Sequence, residues 1–239
     1  MDRKRLISYS YFFNGDYNAS TKAIEKDIDV PNVEDDNCIT IFDKQYPKKL
    51  LELKYPPYVL FYKGNINLLN KESISIVGSR NACKYAIDAT ISLVKNNSDK
   101  VIVSGLAKGI DAYGHQYSNE SIGVLGCGIN YIYPSVNKHL FEKLEKQGLI
   151  ISEYPDMVLP LGFHFPFRNR IITCLSDTLY IMQSTINSGT MTSVNEALEL
   201  GRSIKVLPYD VFNENGINNN RLISEGAECL QYDEIAISK

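Results

Sequence analysis

The chain of 239 residues contains no apolar run approaching the ~18 residues of a membrane-spanning helix, which argues against a transmembrane protein. Its start, MDRKRLISYSYFFNGD, is basic and then apolar, but Ser8, Ser10 and Asn14 interrupt it and no small-residue cleavage site follows, so it does not read as a signal peptide. Five cysteines, Cys38, Cys83, Cys127, Cys174 and Cys229, are scattered and odd in number, and none forms a C-x-x-C with a matching pair. Neither a disulfide framework nor a zinc site is indicated, and a reducing cytoplasm is the expected location. No G-x-x-x-x-G-K-[ST] occurs, and Gly126-Cys127-Gly128 lacks the third glycine of the dinucleotide fingerprint, so P-loop and dinucleotide signatures are missing. The three histidines have no companions at metal-ligand spacing; neither metal nor cofactor is expected. A formal net charge of −3 excludes a generally basic nucleic-acid coat, so any polyanion must meet a local patch. Internal repeats and low-complexity tracts are also lacking.

What is present is a chain that is 44% hydrophobic and long enough for one large domain with a small appendage. Short, nearly continuous Ile/Val/Leu runs at 73–77, 101–104, 122–125, 149–152, 179–182 and 203–207 read as strands buried on both faces. Between them, Ala86, Ala89, Thr90, Leu93 and Val94 share one helical face, as do Leu140, Phe141 and Leu144, and Val194, Ala197 and Leu198. The pattern predicts an α/β fold: an extended Rossmann-like, doubly wound, mostly parallel sheet over residues 36–239. Within YPKKLLELKYPPYVLFYKGN, residues 58–62 read as an extra strand. Residues 1–35 read as a short helical appendage, closed by an acidic linker around 31–36.

In such a sheet ligands bind at the carboxyl ends of the strands, and these ends are rich in glycine. The first strand leads into Gly78-Ser79-Arg80, the second into Gly105-Leu106-Ala107-Lys108-Gly109, and the fifth into Asn187-Ser188-Gly189-Thr190. Glycines let backbone approach an anion, helix N-termini aim N–H groups at it, and Arg80 and Lys108 add charge. The stretch FHFPFRNRII sets Phe163, Phe165 and Phe167 on alternate residues ahead of Arg168, Asn169 and Arg170. Guanidinium forks hold phosphate oxygens and aromatic faces stack on bases of any identity, so nucleic acid or a nucleotide is the indicated ligand.

Catalytic constellations are thin. His115 can face the cleft, but a helix-capping or core role accounts for it better; Asp111 can pair with Glu153 as acid and base, or cap a helix while Glu153 orients arginines. Tyr131, Tyr133 and Tyr154 are candidate stackers, although with 16 tyrosines packing accounts for most of them.

SISIVGSR (73–80), VIVSGLAKGIDAYGH (101–115), IGVLGCGINYIYP (122–134), LIISEYP (149–155), FPFRNRII (165–172), SGTMTSVNEALELGR (188–202) and NNRLISEGA (219–227) follow one another as in the DNA-processing protein family DprA/Smf, which the chain resembles over about residues 40–230. The resemblance implies a protein that binds single-stranded DNA without sequence preference, dimerises, and helps load the recombinase RecA during natural transformation; the lack of a nucleophile–base pair, metal ligand set or P-loop adds the expectation that it is not an enzyme. It implies DNA contacts at Gly78, Ser79, Arg80, Lys108, Arg168 and Arg170, to which the glycine-rich edge adds Gly105, Gly109, Phe165, Asn169, Ser188, Gly189 and Thr190. It also implies a dimer surface near 220–230, with Asn220, Ile223 and Cys229. Two features depart from the family: many members carry a larger N-terminal helical module and a C-terminal winged-helix-like module, and the usual Pro-Gly after the sixth strand is Pro208-Tyr209-Asp210 here.

The alternative is a Rossmann-type enzyme or sensor for nucleotides, related to the nucleoside-monophosphate phosphoribohydrolases. Those enzymes place a glutamate close after Gly-Thr, whereas Glu196 lies farther from Gly189-Thr190.

Overall fold

A computed structural model describes residues 2–156, 158–185 and 188–236. Two helices, α1 (Arg3–Phe12) and α2 (Tyr17–Glu25), come first, started by Asp2 and Asp16 whose carboxylates accept from the backbone N–H groups of Arg5 and Ala19. Then follow β1 (Cys38–Thr40), β2 (Val59–Gly64), β3 (Ser73–Gly78), α3 (Lys84–Asn96), β4 (Val101–Ser104), α4 (Ile110–Tyr117) and β5 (Ser121–Leu125). The remainder is α5 (Lys138–Gln147), β6 (Leu149–Ser152), α6 (His164–Leu175), β7 (Thr178–Gln183), α7 (Thr190–Glu199), β8 (Ser203–Val206), α8 (Ile217–Ser224), β9 (Glu228–Cys229) and α9 (Tyr232–Ile235). No helix among the described residues is long and apolar enough to cross a membrane.

The strands form one nine-stranded sheet in the order β1-β2-β6-β5-β4-β3-β7-β8-β9. From β6 to β9 every pairing is parallel; β1 and β2 join antiparallel at one edge. All six apolar runs are strands, and residues 58–62 lie largely within β2. The short edge strands β1 and β9 lack a sequence signal, because each is too brief to show a period.

Alternation along each strand divides the core into layers. Ile74, Ile76 and Ile102 pack with Ala86, Ala89 and Leu93 of α3, while Val77, Val101 and Val103 pack on the other face with Ile171, Ile172 and Val194 of α6 and α7. Leu198 is the exception among the helical faces: it flanks the buried stripe and is exposed, so the buried face of α7 is narrower than its sequence suggests. The first two helices pack onto the rest of the chain. Leu6 and Ile7 share a cluster with Val59, Phe61, Leu140 and Phe141, while Tyr9, Ala23 and Val30 close a small core of their own.

Candidate nucleic-acid interface

The chain works outward from β3 through β4 and β5 to β6, then returns to lay β7 on the opposite side of β3. Loops leaving the carboxyl ends of two strands at such a reversal diverge, and a crevice opens between them. Here it is a cleft of about 590 Å³ whose walls include Gly78, Ser79, Arg80, Phe165, Arg168, Asn169, Ser188, Gly189 and Thr190. Across Arg80, Phe165 and Arg168 it continues into a hollow of about 290 Å³ bounded by Gly105, Lys108, Tyr133 and Pro134. Gly109 does not line the cleft but ties its loops together. At φ 72°, its backbone lies against that of Ser79 and Arg80, where a Cβ would collide, and the next N–H, from Ile110, donates to the Ser79 carbonyl at 3.2 Å.

The FHFPFRNRII stretch is the first turns of α6, with Pro166 tolerated because it lies in the opening turn. Alternate residues in a helix are turned by roughly 200°, so the three phenylalanines part company. Phe165 enters the cleft, where the Arg80 guanidinium lies over its ring at 5.6 Å and the Tyr133 ring lies 5.6 Å away. Phe167 turns toward the N-terminal helices, beside Tyr17 and Tyr55. The arginines part likewise. Arg168 follows Phe165 by one helical step to the cleft floor, whereas Arg170 follows Phe167, stacks over it at 3.7 Å and closes on Glu153.

Electrostatically the floor is a buried, opposed pair of charges. Arg168 donates to the Val124 carbonyl, and its guanidinium and the Asp111 carboxylate both press on Gly105, where a Cβ would strike them. Burial draws Arg168 down to about 10 and pushes Asp111 up; each one's charge opposes the other's shift. Arg168 therefore stays cationic at neutral pH. Asp111 is not the helix cap expected from sequence: the cap position is Gly109, and the carboxylate instead accepts from the Ala107 N–H at 3.3 Å. Nor do Asp111 and Glu153 meet as acid and base, since Asp111 lines the cleft and Glu153 a small cavity under the N-terminal helices. His115 lies wholly inside the protein, away from the cleft lining; burial, then the charges of Lys143 and Arg168, bring it down to about 3.

A family model described as DNA recombination-mediator protein A matches residues 37–238. The chain belongs to that family. It is 39% identical over 201 residues to the DNA processing protein DprA of Bacillus subtilis, covering 81% of this chain and 68% of that protein. With the Streptococcus pneumoniae DprA it shares 36% over 196 residues, covering 80% and 70%. The solved structure of the S. pneumoniae protein superposes with a TM-score of 0.78 at 28% identity, over 96% of this chain and 90% of that one. That of Helicobacter pylori DNA processing protein A, a study of its single-stranded DNA binding mode, gives 0.74 at 31% identity over 80% and 90%.

Among the residues named from sequence, one of the family-implied contacts is not at the cleft. Arg170 is 2% exposed, and with both terminal nitrogens on Glu153 and Nε donating to the Tyr55 carbonyl it has no fork left for a phosphate. The Asn169 amide donates to the Gly189 carbonyl at 3.2 Å, tying α6 to the loop before α7; Asn187 lies outside the described residues. Beyond the carboxyl end of β8, the Asn220 amide brackets the Tyr209 backbone, accepting from its N–H and donating to its carbonyl, each at 3.0 Å. Ile223 is half-buried against the main core, and Cys229 lies in the edge strand β9. Sequence reasoning missed Asn81, Pro160, Gly162, Thr185 and Ser193, which also line the cleft. The Pro160-Leu161-Gly162 punctuation ahead of the phenylalanines was the one available signal.

Proposed function

We propose that the protein binds single-stranded DNA at the cleft, without sequence preference and without catalytic turnover, and acts as a recombination mediator that loads RecA onto the strand in natural transformation. The observation that carries this reading is the arrangement of Arg80, Phe165 and Tyr133 over the buried Arg168: flat apolar faces and cations share one crevice, flanked by the N-termini of α4 and α7. Ser79, Arg80, Lys108, Asn169, Ser188, Gly189 and Thr190 are the proposed contacts to the strand. Gly78, Gly105 and Gly109 let the loops close around it, and Arg170 positions α6 through Glu153. The single-stranded DNA bound by the H. pylori relative supports the same ligand here.

A homodimer through Asn220, Ile223 and Cys229 belongs to this reading, because two linked cleft sites hold one strand more tightly than either alone. The exposed Val211 and Phe212, held beside α8 by the Tyr209–Asn220 bonds, extend that surface. The test is titration of labelled oligothymidine against duplex of matched length. With about four phosphates neutralised, log K should fall with log salt at a slope of roughly −3. Equal or tighter duplex binding removes the reading; failure to stimulate cognate RecA on DNA coated with single-strand-binding protein removes its mediator half.

A further inference from the structure

Two loops at the cleft rim are joined by backbone bonds, Gly128 N–H to Val158 at 2.8 Å and Asn130 N–H to Asp156 at 3.0 Å. The Asn130 amide adds a bond to the Asp156 carboxylate at 2.8 Å. Held together this way, they expose large apolar side chains: Ile132, Tyr133 and Val136 from the first loop, Leu159, Leu161 and Phe163 from the second, between 39% and 67% exposed. Burying such groups within the chain is favourable, so six left in water beside one crevice mark a contact surface. The rim is continuous with the cleft through shared residues. Tyr133 belongs to both, and Pro160 and Gly162 line the cleft while their neighbours Leu159, Leu161 and Phe163 project outward.

We infer that these six side chains form a collar on which the bases flanking the cleft-bound nucleotides stack, and that this collar makes the site select single strands over duplex. The inference rests on the proposed DNA binding. Tyr133 lines one hollow with the cations Arg80 and Lys108, and Pro160 and Gly162 of the second row line the cleft with Arg80, which suits a ligand that offers apolar faces and phosphates in alternation along its length, as unpaired nucleic acid does. Leu, Ile and Phe side chains are also the residue types that wedge between base steps. In a duplex the base faces are stacked on one another and cannot reach the collar, so duplex contacts only the phosphate part of the site.

The chain contains no tryptophan, so the indole introduced by Phe163→Trp reports on the collar alone. Its emission should be quenched by an oligothymidine of roughly 20 nucleotides and left unchanged by a trinucleotide or by duplex. In parallel, Leu161→Ser combined with Phe163→Ser should lower affinity for the long oligothymidine by about tenfold, leave trinucleotide and duplex affinities unchanged, and keep the wild-type melting temperature. Wild-type affinity of the double variant for the long strand overturns the collar, as does an equal loss on the trinucleotide. Unchanged DNA affinity with lost RecA stimulation reassigns the rim to protein contact and overturns it as well. If the wild-type protein binds none of the three DNAs, the proposed function falls first and the collar with it.

Discussion

The Arg170 guanidinium sets its two terminal nitrogens on the two carboxylate oxygens of Glu153, each at 2.6 Å, with both side chains buried. Two charges taken from water and paired in this geometry gain fixed orientation more than stability, and removing one partner strands the other. Arg170→Met or Glu153→Leu should each lower unfolding free energy by about 3–5 kcal/mol. Replacing both, as Arg170→Met with Glu153→Leu, should cost less than the sum of the single variants. Urea denaturation of the four proteins measures the coupling, and additivity would show that the pair does not act as a unit.

Arg80 and Lys108 behave oppositely because both are exposed at the cleft. Arg80→Ala and Lys108→Ala should leave the melting temperature unchanged and weaken oligothymidine binding irrespective of sequence, each flattening the salt dependence by about one phosphate contact. Anisotropy titrations at several salt concentrations provide the measurement. An unchanged salt slope in the double variant would remove these residues from the site.

Sequence legibility followed the length and burial of each element. Five strands buried on both faces announced themselves as nearly continuous Ile/Val/Leu runs, while β8 alternates with only Ile204 and Val206 buried, and β3, β4 and β7 stood where expected together with the Gly78, Gly105 and Gly189 turns that follow them. Alternating phenylalanines could not reveal that Phe165 and Phe167 face opposite directions, since that depends on their lying in a helix. The same applies to the arginines. Arg168 and Arg170 look alike in sequence, and only the helical phase of α6 sends one to the cleft floor and the other to Glu153. Cleft residues such as Ser193 are set there by the return of β7 onto β3, a long-range relationship that no local pattern encodes.

Two glycines of the cleft edge make a paired test. Gly109 has positive φ and no room for a Cβ beside Ser79 and Arg80, so Gly109→Ala should cost well over the ~1–2 kcal/mol of a left-handed alanine and weaken DNA binding by moving two loops apart. A Cβ at Gly189 would meet no heavy atom within 4 Å, so Gly189→Ala should melt like the wild type. Thermal melts of the two variants decide this, and equal destabilisation would contradict the loop-tying role of Gly109.

The proposed dimer surface yields a concentration-dependent prediction. Ile223 packs partly on the main core, so a charge there attacks the protomer as well as any partner; Phe212 is almost wholly exposed and separates the two effects. Phe212→Asp should keep the protomer's melting behaviour and shift light scattering toward the monomer mass at low micromolar concentration. A wild-type protein that scatters as a monomer across the concentration series would dispose of the interface.

His115 supplies a pH dependence whose sign is fixed by its burial. Its folded-state value of about 3 lies below the ordinary 6.5, so the unfolded chain takes up a proton that the native protein refuses. Its contribution is therefore fully present above about pH 6.5 and is lost as pH falls toward about 3, at a limiting rate of about 1.4 kcal/mol per pH unit. The positive charges of Lys143 and Arg168 act in the same direction as burial, because they too disfavour an imidazolium. The Ser104 backbone opposes that shift only weakly, and neither ring nitrogen makes a hydrogen bond of normal geometry among the described residues, so His115→Leu replaces a poorly satisfied polar ring with an apolar side chain at little loss of hydrogen bonding. Urea midpoints between pH 5 and pH 7, the upper part of that window, should fall with acid in the wild type and fall less in His115→Leu. Parallel curves for the two proteins would mean that His115 binds its proton as readily in the native protein as in the unfolded chain, and that the acid sensitivity arises elsewhere in the chain.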